Sequence, residues 1–142
     1  MKPAGDELTP DGGEATTAHP PVEQLIGLRR EDRSDAVVVQ VSGAVDGLTA
    51  HRLRTLIVAA LDQFDGRPLV LDLTEVGFFG SSGLRALADG TERAAARPGF
   101  EPLRIVVDHN RPVLRPIELT GYDAVLALYH DVDAAVAGTV TE

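Results

Sequence analysis

Three short apolar runs punctuate the chain, and between them the apolar residues recur at helical spacing. Ala36-Val37-Val38-Val39-Gln40-Val41, Leu69-Val70-Leu71-Asp72-Leu73 and Leu103-Arg104-Ile105-Val106-Val107 have the length and branching of buried strands. The weaker run Leu25-Ile26-Gly27-Leu28 predicts a strand before them, with Glu31–Asp35 as a polar turn, and Leu126-Ala127-Leu128-Tyr129 predicts one after them. Behind the first strong run, Leu53, Leu56, Ile57, Ala60, Leu61 and Phe64 fall on a single helical stripe. They predict a helix reaching about Phe64, with Thr49 as its N-cap. Leu84, Leu87, Ala88, Thr91 and Ala95 predict a second helix from about Ser82 to Ala96, broken by the Pro-Gly stretch that follows Arg97. A third helix should start at Arg111 and stop at Gly121, a residue suited to the left-handed turn that ends helices. Pro116 lies inside it and predicts a kink or a one-turn break. A short last helix over Asp131–Gly138 should be capped by Asp131.

Strands alternating with helices imply crossover connections and hence a mainly parallel sheet. The continuous apolar runs fit strands covered by helices. The expected class is therefore α/β, with a central sheet of four to five strands and about four helices. Residues 1–21 are rich in Pro, Gly, Thr and acid and lack periodicity, so they read as a flexible tail before a domain over 22–142. In open sheets of this kind, function gathers at the carboxyl ends of the strands. Here those ends are Ser42–Asp46, Val76–Ser82 and Asp108–Asn110.

Composition narrows the partners. Of 142 residues, 44% are hydrophobic but only 4% aromatic, so one domain with an aliphatic core is expected. A net charge of −9 argues against nucleic acid and against anionic membrane surfaces. With no cysteine there is neither a disulfide frame nor thiol chemistry. No apolar stretch reaches the length of a membrane span, and Met1-Lys2 leads into polar residues, so a cytoplasmic protein is expected.

The chemistry concentrates at Gly80-Ser81-Ser82-Gly83, where the strand from Leu69 turns into the second helix. The first N–H groups of a helix lack internal partners, and its dipole favours an anion there. Ser81 and Ser82 stand where a hydroxyl can cap those groups. A hydrolase elbow is disfavoured, because neither serine lies in Gly-x-Ser-x-Gly. A triphosphate loop needs a lysine after its second glycine, and the sole lysine is Lys2. Two readings remain: serines that only cap, or a phosphorylation switch, since a helix N-terminus tolerates a phosphoserine well. Asp46 reads as a solvated turn residue, a second cap, or a contact for a basic partner on the rim that holds Ser81. Phe78-Phe79 reads as core and rim packing, with one ring open to a partner. Asp108-His109 resembles a ligand or acid–base pair, but no other His, Asp or Glu is spaced to complete a metal site, so none is expected.

These elements together resemble a known family. Val37–Asp46 resembles the opening strand and Gly-x-x-Asp loop of STAS domains, the anti-sigma factor antagonists and their relatives, and Thr49-Ala50 with Leu53-Arg54 continues the match. Leu71-Asp72-Leu73 and Val76, followed by Phe78 to Gly83, resemble the family's central strand and Asp-Ser-Ser/Gly-Gly-Leu signature. Leu119-Thr120-Gly121-Tyr122 resembles its late Leu-Thr-Gly-aromatic/Leu element, and the cover is about residues 25–138. The resemblance implies a small sheet with helices mainly on one side, and a protein that is not an enzyme and carries no cofactor. Ser81, with Ser82 as second choice, would be phosphorylated by an anti-sigma factor that is itself a serine kinase. Asp46, Gly47, Thr49, Phe79, Gly80, Ser82, Gly83 and Arg85 would form the surface that binds it, and sigma-factor-dependent transcription would be the process regulated. A STAS scaffold, stress sensor, small-ligand receptor or transport-complex subunit without that switch is the alternative. One departure bears on the choice: the family's Asp before the acceptor serine is Gly80 here.

Overall fold

A computed structural model describes residues 25–63, 66–96, 103–124 and 126–138. The expected tail over 1–21, Phe64 and the break after the second helix lie outside the described residues. Five strands form one sheet in the order β1-β2-β3-β4-β5. They are β1 (Ile26–Asp32), β2 (Val37–Val45), β3 (Leu69–Phe79), β4 (Arg104–Val106) and β5 (Ala127–Tyr129). β1 is antiparallel to β2, and every other pairing is parallel. Among the described residues four α-helices accompany them: α1 (Ala50–Asp62), α2 (Ser81–Ala95), α3 (Arg111–Thr120) and α4 (Val132–Ala137). None of the described helices is long and apolar enough to cross a membrane.

The pleat sends alternate side chains to opposite faces of the sheet, and the sequence uses both. Val37, Val39, Val41, Leu69, Leu71, Leu73 and Ile105 face the stripes of α1, α2 and α3. Leu53, Ile57, Leu87, Val113 and Ile117 from those helices are fully buried. At roughly 1.5–3 kcal/mol for each large aliphatic side chain, this face supplies most of the core's stabilisation. Val38, Val70 and Val106 point the other way, where they pack with Tyr129 of β5 and Ala135 of the short α4. Asp131 caps α4 as expected, accepting the Ala134 N–H at 2.7 Å.

Several boundaries differ from the sequence expectation. Glu31–Asp32 continue β1 rather than turning, because an edge strand keeps its hydrogen bonds to β2 while its charged side chains stay in water. Ser42–Val45 continue β2 instead of forming a loop. The pairing with β3 shifts register on both sides of Ser42–Gly43, and Gly43 has φ +90°. A β-carbon there would collide with the Leu25 carbonyl. Thr74–Phe79 likewise extend β3 to eleven residues.

α3 runs through Pro116 without a break. The N–H that proline lacks would have paired with the carbonyl of Pro112, an exposed residue in the first turn of the helix. Val113 and Ile117 are buried and hold the helix to the sheet. It ends at Gly121 with φ 78°, the left-handed cap expected there.

Candidate functional site

Ser81 is the first residue of α2 and is exposed. Gly80 is the N-cap, with an extended backbone, and no side chain caps this helix. The serines therefore do not cap. They stand one and two residues inside the helix, whereas a capping oxygen must come from the residue before it. The Gly80 carbonyl instead receives the N–H groups of Gly83 and Leu84, at 3.0 and 3.2 Å. The Ser81 hydroxyl is thus left facing solvent at the positive end of the helix dipole.

The end of β2 is fastened to this point, since the Gly80 N–H donates to the Val45 carbonyl at 2.9 Å. Asp46 follows at once and organises the turn into α1. Its Oδ1 accepts the N–H groups of Leu48 and Thr49 at 2.9 and 3.2 Å. The expected capping hydroxyl of Thr49 is turned elsewhere, donating to the Ala44 carbonyl at 2.7 Å and accepting the Asp46 N–H at 3.0 Å. Asp46 closes the turn that leads into α1, and Thr49 locks the loop from inside.

Burial sorts the expected contact residues. Gly47 and Arg85 are exposed, and Asp46, Gly80 and Ser82 are half-buried. Thr49 and Phe79 are buried in the free chain, as is Gly83, so their side chains do not reach its surface. Phe79 packs inward because β3 remains a strand to its end and alternates its side chains. Phe78 is the ring that emerges, 53% exposed, and Leu48 is 63% exposed. Neither Leu48 nor the exposed side of Phe78 was distinguishable by sequence, since both depend on where the strand ends.

A shallow cleft of about 210 Å³ opens between the two helix starts, lined by His51, Arg54, Ser82 and Arg85 among others. Arg54 reaches across to Asp89 of α2 at 3.2 Å. In a chain of net charge −9, this spot beside the serines is locally basic.

At the ends of β4 and β5 the fold brings His130 to the Asp108-His109 pair, which sequence spacing had left without a third member. His130 Nδ1 lies 3.6 Å and His109 Nε2 3.7 Å from Asp108 Oδ1. Asp72, on β3, is buried and accepts the Thr74 N–H and hydroxyl at 3.0 and 2.7 Å. Its carboxylate closes a strand irregularity and faces no part of the Ser81 rim's cleft.

The chain is similar to proteins of known family. A Mycobacterium tuberculosis protein with the provisional name of anti-anti-sigma factor is 35% identical over 71% of this chain and 67% of its own length. The anti-sigma-F factor antagonist RsfB of the same species is 31% identical over 75% of this chain and 84% of its own. The crystal structure of an anti-sigma factor antagonist from Mycobacterium paratuberculosis superposes with a TM-score of 0.71 at 34% identity, covering 80% of this chain and 92% of that one. The family described as "Mlab, STAS domain" matches residues 28–129, from within β1 to the end of β5 and including the Ser81 junction, and the chain belongs to this STAS domain family.

Proposed function

We propose that the protein is an anti-sigma factor antagonist, binding an anti-sigma factor of the serine-kinase type and released from it by phosphorylation of Ser81. The observation that carries this reading is the position of Ser81: exposed, uninvolved in capping, and first in a helix whose start is tied to the Asp46 turn. A dianion there sits at the positive end of α2, and Arg85 stands one helical turn further along the same face. The free protein therefore tolerates the modification. An interface closing over Leu48, Phe78 and Ser81 does not, because a buried phosphate loses its hydration; each ~1.4 kcal/mol lost weakens binding tenfold. The names of the relatives support the same role. Catalysis belongs to the kinase, with this chain as its substrate.

The test is incubation with ATP and the serine-kinase anti-sigma factor of the same organism, read by intact mass and by binding. One phosphate is expected on the wild type and on Ser82→Ala, and none on Ser81→Ala. Ser81→Asp should lose the partner. Phosphate uptake that survives Ser81→Ala would overturn the assignment.

A second reading, a STAS module that binds its partner without a phosphate switch, draws on Gly80. The Phe78 ring lies over this glycine, with Cε2 3.2 Å from where a β-carbon would stand, so an aromatic edge occupies ground that the family gives to an aspartate. Under that reading the partner binds equally well to wild type and Ser81→Asp.

A further inference from the structure

The cluster at the ends of β4 and β5 is independent of the Ser81 rim. Asp108 and His109 form the turn after β4, and His130 directly follows β5. The backbone fixes them together: the N–H groups of Val107 and Asp108 donate to the Tyr129 carbonyl at 3.1 and 3.4 Å. Asp108 takes a left-handed conformation, φ 49°, which aspartate accepts more readily than most residues. Asn110 anchors the other side of the turn, its side-chain amide donating to the carbonyls of Leu73 and Val76 at 2.8 Å. One ligand atom from each of Asp108, His109 and His130 lies within 4.8 Å of the other two. The imidazoles are tilted by 41° with centroids 5.3 Å apart, so they converge on the carboxylate rather than stack.

We infer that Asp108, His109 and His130 form a binding site for a divalent transition-metal ion of the zinc type. Zinc binds imidazole nitrogen and carboxylate oxygen at about 2.0–2.2 Å in a tetrahedron, which sets its ligand atoms about 3.4 Å apart. The separations of 3.6 and 3.7 Å from Asp108 Oδ1 are a few tenths of an ångström wider, a gap that small rotations of exposed side chains close. Two imidazoles with one carboxylate favour zinc, nickel or copper over calcium and magnesium, which take oxygen ligands. Three protein ligands leave a fourth position for water or for a side chain from outside. His109 is 84% exposed and Asp108 53%, so the ion exchanges freely with solvent. Bound, it ties the three-residue edge strand β5 to the turn after β4.

The experiment uses the full chain without an affinity tag, titrated with zinc against a chromophoric chelator and followed separately by thermal unfolding. One zinc per chain is expected, with affinity reduced at least tenfold in His130→Ala and in His109→Ala and unchanged in His19→Ala. Zinc should raise the unfolding midpoint of the wild type and not that of His130→Ala. Cobalt(II) should give a visible absorption band that disappears in Asp108→Asn. Binding should weaken on acidification, because a coordinating imidazole must be neutral. Wild-type affinity in the His109→Ala/His130→Ala double variant, or an affinity lost only in His19→Ala, would overturn the site.

Discussion

Gly83 packs so closely against Phe79 that a β-carbon on it would stand 2.9 Å from Cε1 of the ring, and equally close to Cγ1 of Val45. The first turn of α2 thus lies directly on the ends of β2 and β3. Gly83→Ala gains about 1 kcal/mol of helix propensity but forces a methyl group into a filled space, at a cost of about 1–3 kcal/mol. Urea unfolding should therefore show a net loss for Gly83→Ala. Gly80→Ala, which meets only the exposed Phe78 ring within 3.5 Å, should unfold close to the wild type.

Asp46 combines a structural and a recognition role that two substitutions separate. Asp46→Ala removes the acceptor for the Leu48 and Thr49 N–H groups and should cost about 1 kcal/mol, the usual value for a lost cap. Asp46→Asn keeps an oxygen there and should retain stability while losing the charge. A partner that reads the carboxylate will bind Asp46→Asn more weakly at unchanged unfolding midpoint, and parallel titrations of the two variants decide it.

Asn110 joins the turn after β4 to the far part of β3, its amide reaching the carbonyls of Leu73, Thr74 and Val76 at 2.8, 3.2 and 2.8 Å. Asn110→Ala leaves those carbonyls without their donor and should destabilise by about 1–3 kcal/mol. Hydrogen exchange should quicken in the second half of β3 and the first turn of α3, before β1 is affected.

Gly80 has φ −91°, so a side chain there meets no backbone penalty. Gly80→Asp requires only that the exposed Phe78 ring shift by a few tenths of an ångström. The variant should fold with stability within about 0.5 kcal/mol of the wild type, as surface changes usually do. If the missing aspartate limits the kinase, Gly80→Asp should accept phosphate faster than the wild type. Phe78→Ser should weaken partner binding with no loss in unfolding midpoint.

Branched apolar runs announced the middle of β2, β3 and β4, and the Leu53-Ile57-Leu61 stripe announced α1, because burial on a regular lattice leaves a periodic trace. Strand continuations through Ser42–Val45 and Thr74–Phe79 left none: glycine and polar residues interrupt the apolar pattern there, and pairing to a neighbour strand, which is not a local property, holds them. The Ser81 junction was legible as a strand-to-helix turn. Its capping was not, since one residue of offset decides whether a hydroxyl lies before the helix or within it. Thr49 shows the same limit, having a cap's place in the chain but a hydroxyl drawn back to Ala44. The meeting of His130 with Asp108 arises only when β5 pairs with β4, so spacing along the chain carried no sign of it.

Among the described residues β1 is the outermost strand on one side of the sheet, and an edge strand is a natural template for strand addition and fibrous aggregation. Arg29, Arg30, Glu31 and Asp32 are all exposed along that border, and desolvating them would accompany any intruding chain. Self-association through that strand is thereby penalised.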